Sequence, residues 1–108
     1  MNIILYGTKK CPETRKALRY FQERKIKIQY RDISDTPIAE GELKNLAAGG
    51  NASKLIDTES KQYLNRGLVH MEYDAFEELL ADNALMATPI VRIDKKIFIR
   101  PKLGELPL

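Results

Sequence analysis

The sequence predicts an α/β protein built on a mixed four-stranded sheet with helices on its faces. Three observations carry that expectation. Residues 3–31 read strand–helix–strand, the pattern of a parallel pair joined by a right-handed crossover. Residues 88–99 read as two strands around a polar turn, an antiparallel hairpin. The stretch between them carries helix starts and helical apolar spacing. A parallel unit plus an antiparallel hairpin makes a mixed sheet.

Each element follows from local chemistry. Ile3-Ile4-Leu5-Tyr6, bounded by Gly7-Thr8, is a short buried strand. Cys11 opens a helix, with Pro12 in the first turn where its missing N–H costs nothing. Thr14, Ala17, Leu18 and Phe21 follow helical spacing and form the core face. The helix is expected to end near Arg24-Lys25, where cations suit the negative helix end. Ile26, Ile28 and Tyr30 alternate with Lys27, Gln29 and Arg31, which predicts a half-buried second strand. Asp35-Thr36-Pro37 is a helix start, and Ile38, Leu43, Leu46 and Ala47 follow it as far as a stop at Gly49-Gly50. Residues 51–66 read as polar and helical, with Leu55, Ile56, Tyr63 and Leu64 as the apolar spots. Asp74-Ala75-Phe76-Glu77 resembles a capping box, and Phe76, Leu79 and Leu80 give that helix its core face. Ile90–Ile93 and Ile97–Ile99 flank Asp94-Lys95-Lys96, a hairpin whose turn lacks glycine. The eight residues after Arg100 are too few for a substantial closing helix.

The chain has 108 residues, which fits one domain over 1–108 with one modest core. With 44% apolar and 31% charged residues, wholesale disorder is excluded. No uncharged apolar run approaches the ~20 residues of a membrane span. The start is too short in apolar residues for a signal peptide. A lone cysteine cannot form an internal disulfide, and with no export signal the expected location is the cytoplasm. No Cys/His cluster supports zinc, and His70 has no metal-spaced partner. No glycine-rich loop supports nucleotide binding. The basic first helix lacks the aromatic pattern that nucleic-acid binding would add.

Charge is unevenly spread. Residues 1–31 carry nine basic and two acidic side chains, net +7. Residues 32–89 carry four and eleven, net −7, and residues 90–108 carry five and two, net +3. If the fold joins the two basic ends, one face will attract anions.

Chemistry concentrates at Cys11. It follows a strand, a Gly-Thr turn and two lysines, and it stands at a helix start. Helix N–H groups and the helix dipole favour a thiolate over a thiol, and Lys9, Lys10 and Arg15 push the same way. A partly exposed thiolate is a nucleophile. Position 14 is threonine, so no active-site disulfide can form and an external thiol must resolve any adduct of Cys11. Thr14 sits one helical turn on, within reach of donating its hydroxyl to the sulfur.

The segments Tyr6-Gly7-x-x-x-Cys11-x-x-Thr14-Arg15-Lys16-Ala17, Arg31-Asp32, Thr36-Pro37 and Leu85-Met86-x-Thr88-Pro89-Ile90-Val91-Arg92 resemble the arsenate reductase/Spx family. The resemblance covers nearly the whole chain in matching order. It implies a thioredoxin fold with a helical insertion before a cis-Pro strand, here with the closing helix missing or short. Cys11 matches the family's arsenate-attacking cysteine, Arg15 the arginine that follows it, Thr88-Pro89 the cis-Pro turn, and Arg100 a distal anion-binding arginine. Family enzymes active on arsenate typically carry Arg where Thr88 stands. A further family arginine aligns near Asp57, and a histidine found in some members aligns with Gly7.

The resemblance implies a thiol oxidoreductase with no bound cofactor and with glutathione or another low-molecular-weight thiol as co-substrate. Cys11 would attack an anionic oxidised substrate, either an oxyanion or a mixed disulfide. Arg15, Arg92 and Arg100 would hold the developing charge, with Lys9 and Lys10 as further cations. The Spx branch implies an alternative, a regulatory protein that binds RNA polymerase. A relative that has lost catalysis is the third reading.

Overall fold

The computed structural model describes residues 1–48 and 51–108. In chain order the elements are β1 (Ile3–Gly7), α1 (Pro12–Glu23), β2 (Gln29–Asp32), α2 (Glu40–Ala48), α3 (Lys61–Asn65), α4 (Ala75–Ala81), β3 (Ile90–Ile93) and β4 (Lys96–Ile99). Single 3-10 turns lie at Ala52–Leu55, Leu68–His70, Asn83–Leu85 and Leu103–Glu105. The sheet runs β2-β1-β3-β4, with β1 parallel to β2 and antiparallel to β3, and β3 antiparallel to β4. This is the mixed four-stranded sheet the element order predicts, and the one the resemblance implies. The chain divides into two compact units, residues 1–36 with 88–108 and residues 37–87.

The first unit contains the whole sheet. Alternation along β1 and β3 puts Ile3, Leu5, Val91 and Ile93 on one face. There they bury against Ala17 and Phe21 of α1 and against Leu106. Helix α1 stops at Glu23 because Lys25 turns into the left-handed region (φ 53°), which lets the Ile26 N–H reach back to the Phe21 carbonyl. The second strand therefore begins at Gln29, later than the apolar alternation predicts. Ile26 and Ile28 still pack on the core as irregular chain. Asp94, at φ 53°, supplies the left-handed turn residue that glycine would otherwise provide between β3 and β4. After β4 the chain makes one 3-10 turn, and Leu103 and Leu106 lie against the same core.

The second unit is helical. Helix α2 begins at Glu40, three residues beyond Pro37, where Glu42 Oε1 accepts the Ala39 N–H. Its expected stop at Gly49-Gly50 lies outside the described residues. Residues 51–66 are not one helix. The 3-10 turn ends at Ile56, which bridges Met86, while Leu55 O accepts the Ala87 N–H at 2.7 Å. Helix α3 restarts at Ser60, whose hydroxyl caps the Tyr63 N–H. Asp74 caps α4 through the Glu77 N–H as expected, but Leu80 is 36% exposed and only Leu79 of that pair is buried. No described helix is long and apolar enough to cross a membrane.

Candidate active site

Cys11 is the N-cap of α1 and is half-buried. Its carbonyl accepts the Arg15 N–H at 3.1 Å, the first bond of the helix, and its own N–H donates to Thr8 O at 3.1 Å. Pro12 occupies the first helical position, so the next N–H groups are those of Glu13 and Thr14; the neutral thiol makes no capping hydrogen bond to them, but both favour its ionised form. The thiol donates to Thr88 O at 3.6 Å. Thr88 and Pro89 are joined by a cis peptide bond, and both are buried. The structure thus brings Cys11, Thr14, Thr88 and Pro89 together.

Burial pushes the Cys11 thiol up, but the hydroxyls of Thr14 and Thr88 and the N–H groups of Thr14 and Glu13 outweigh it. The net position is below the ordinary thiol value. The bond to Thr88 O belongs to the neutral thiol, because a thiolate cannot donate. Thr14 is fully buried and its Oγ1 has no hydrogen-bond partner in the neutral site. Ionisation of the sulfur gives that hydroxyl its acceptor. Gly7 makes room for it, since a Cβ there would lie 2.4 Å from Thr14 Oγ1.

The cations take four different placements. Arg15 Nη1 donates to Lys9 O at 2.8 Å and folds over the cysteine loop. Arg100 stands in the left-handed region (φ 45°), sends its N–H to Pro89 O and its Nε–H to Thr88 O, both at 2.9 Å, and so braces the cis-Pro loop. Lys9 and Lys10 flank the loop and are exposed, but the Lys9 ammonium pairs with Asp35 at 3.3 Å. Arg92 is the exception. Antiparallel register places Ile90, not Arg92, opposite Tyr6 at the cysteine end of β1. Arg92 pairs with Ile4, and its Nε donates to Asp94 O at 2.8 Å in the hairpin turn. The expectation that Arg92 holds charge at the sulfur is corrected on that ground.

Arg100→Ala is accordingly expected to slow Cys11-dependent exchange several-fold, since hydrogen bonds from charged groups contribute about 1.5–3 kcal/mol and this one is partly solvated. Arg92→Ala should leave the rate within twofold. Equal losses in the two variants would contradict the placement.

Sequence reasoning names Asp32 only within the resemblance and gives it no role. It ends β2 opposite Gly7, and its carboxylate gathers donors from the cysteine loop, β2 and the following turn. The signal was the Asp-Ile-Ser-Asp run after a strand, an Asx-turn composition. Among the described residues no group of three or more His, Cys, Asp or Glu side chains is placed to hold a metal. A cavity of about 40 Å³ beside the loop is lined by Glu13, Pro89, Arg100, Pro101 and Leu103. A larger groove, about 420 Å³, runs along β4 and does not include Cys11.

The glutaredoxin family model matches residues 3–54, which contain β1, α1, Cys11 and β2. The global transcriptional regulator Spx 2 of Bacillus anthracis is 26% identical over 98 residues, covering 87% of this chain and 75% of that protein. The Spx 2 of Bacillus cereus is 28% identical over the same shares. Among solved structures, the YFFB protein superposes with a TM-score of 0.80 at 19% identity, over 91% of this chain and 90% of its own. The arsenate reductase from Vibrio cholerae gives 0.77 at 19% identity, over 90% and 87%. The chain therefore has the thioredoxin-like fold of these structures and is similar in sequence to the Spx 2 regulators.

Proposed function

We propose that the protein is a thiol-dependent oxidoreductase acting in the cytoplasm, with Cys11 as nucleophile and glutathione or a similar small thiol as resolving co-substrate. The observation that carries the reading is the half-buried Cys11 thiol at the start of α1, lowered by four converging donors and touching the cis-Pro loop. Cys11 thiolate attacks the glutathione sulfur of a mixed disulfide. A Cys11–glutathione bond forms, the substrate S–S bond breaks, and the substrate leaves as thiolate. A second glutathione thiolate then attacks the adduct, releasing glutathione disulfide and Cys11 thiolate. In sum one mixed disulfide and one glutathione thiol give one substrate thiol and glutathione disulfide, so one S–S bond is lost and one is gained, and protons equilibrate with solvent.

Mixed disulfides are expected to be better substrates than arsenate. A compact oxyanion needs several converging donors, and one missing donor in a water-poor site costs on the order of 10²–10³ in rate. Thr88 stands where arsenate-active relatives of the resembled family carry arginine, and Arg92 points away. A glutathione adduct already has an electrophilic sulfur. Turnover is measured on a glutathionylated peptide and on arsenate with the same reductant, beside Cys11→Ser. Exchange on the peptide should exceed arsenate turnover, and the serine variant should have neither. Robust arsenate turnover with negligible exchange would replace this preference with an arsenate reductase reading.

The relatives named as global transcriptional regulators favour a second reading, a regulatory protein, for which the family resemblance implies RNA polymerase as partner. No Cys11-dependent turnover on either substrate, together with polymerase binding, would put that reading first.

A further inference from the structure

We propose that Asp32 is the positioning residue of the nucleophile loop, fixing the peptide on one side of Lys9 while Arg15 fixes the other. This rests on the reading of Cys11 as the reactive thiol. Asp32 Oδ2 accepts the Lys9 N–H at 3.3 Å and the Tyr30 hydroxyl at 3.2 Å. Oδ1 accepts the Ser34 N–H at 2.9 Å, the Ser34 hydroxyl and the Asp35 N–H at 3.3 Å. The Lys9 carbonyl meanwhile takes Arg15 Nη1 at 2.8 Å. Both peptide groups of Lys9 are therefore anchored to ionised side chains, one from β2 and one from α1. Cys11 lies two residues on, and its sulfur depends on loop direction to meet the donors of Thr14, Glu13 and Thr88.

The residue type is informative because its charge works against the site. A carboxylate near a sulfur disfavours the thiolate by like-charge repulsion. Tyr30 feels both groups: burial first, then the Asp32 charge and hydrogen bond, then Asp35 and Cys11, push its phenol up to about 12, whereas the groups that shift Cys11 itself are burial, Thr14, Thr88 and Glu13. The ionisable groups around Asp32 are thus Lys9, Tyr30, Asp35 and Cys11. Positioning and charge predict opposite signs when Asp32 is neutralised, and that separates them.

The test uses the full chain and no substrate. The rate of Cys11 alkylation by iodoacetamide is followed against pH in the wild type, Asp32→Asn and Asp32→Glu, with amide hydrogen exchange at Lys9. Asp32→Asn should raise the Cys11 midpoint by about 0.5–1 unit although a negative charge has gone. Protection of the Lys9 amide should fall about tenfold or more. Asp32→Glu keeps the charge and displaces the carboxylate, so it should raise the midpoint as well, and it decides the matter if the asparagine variant does not fold. A midpoint that falls in Asp32→Asn and stays put in Asp32→Glu would show a charge effect only and overturn the proposal. So would unchanged midpoints with an unchanged Lys9 amide. Lack of turnover on disulfides would overturn the proposed activity while leaving this inference to be decided by the titration.

Discussion

Cys11 is expected to titrate below the free-thiol value of about 8.5, and Thr14→Val is expected to move its midpoint back up by about one unit. Four donors hold the thiolate, and valine removes the hydroxyl of one while keeping the shape. The rate consequence is smaller than the shift. One unit lowers the thiolate fraction at neutral pH up to about tenfold, but a more basic thiolate is intrinsically more nucleophilic, with a Brønsted slope of about 0.4–0.5. About threefold is regained. Alkylation by iodoacetamide should therefore be about threefold slower at neutral pH and about threefold faster on the alkaline plateau. The two curves should cross. Stability should move the other way, because Thr14 Oγ1 is buried without a partner in the neutral site and an apolar isostere removes that cost, on the order of 1 kcal/mol. A midpoint at or above about 8.5 in the wild type would end the thiolate argument. So would parallel rate profiles for the two proteins.

Much of this arrangement is legible in the sequence. The strand at Ile3–Gly7, the helix from Pro12 and the hairpin at Ile90–Ile99 are written in local periodicity, and short-range chemistry sets their ends. The N-cap position of Cys11 is equally local, because Pro12 fixes the first turn. What failed depended on distant partners. The Ile26, Ile28, Tyr30 alternation predicts an extended chain, but only pairing with Ile4–Gly7 decides that the strand is Gln29–Asp32. Thr36-Pro37 has the chemistry of a helix start. The helix begins at Glu40 because Ile38 is engaged elsewhere, its N–H bonded to Asn83 Oδ1 at 2.7 Å. Arg92 and Arg100 look alike as basic residues near the hairpin, and only antiparallel register sends one to the turn and the other to the cis-Pro loop. The charge pattern was half legible. Both basic ends fall in one unit, which carries fourteen basic and six acidic side chains, net +8. The salt bridge that ties Lys9 to Asp35 could not be seen in a sum over residues.

Gly7→Ala is expected to destabilise the fold by about 2 kcal/mol, within the usual range for overpacking a filled core site. Gly7 is not in the left-handed region, so the cost is one of space and not of backbone conformation. A Cβ there would lie 2.4 Å from both Cγ2 and Oγ1 of Thr14 and 2.9 Å from its Cβ. Rotation about χ1 can carry one γ atom away but cannot withdraw both, and the Thr14 Cβ is fixed by α1. The helix has to lift from β1, or the strand has to give up its pairing of Gly7 with Asp32. Either movement also shifts Cys11, three residues before Thr14. Thr14→Ala removes both 2.4 Å contacts, so the double variant should recover most of the loss. The lower unfolded-state entropy of Ala relative to Gly adds about 0.4–1 kcal/mol in its favour. Urea unfolding of the wild type, both single variants and the double variant closes the cycle. A coupling energy above about 1 kcal/mol is expected for residues in direct contact, and additive losses would mean that Gly7 is there for some reason other than Thr14.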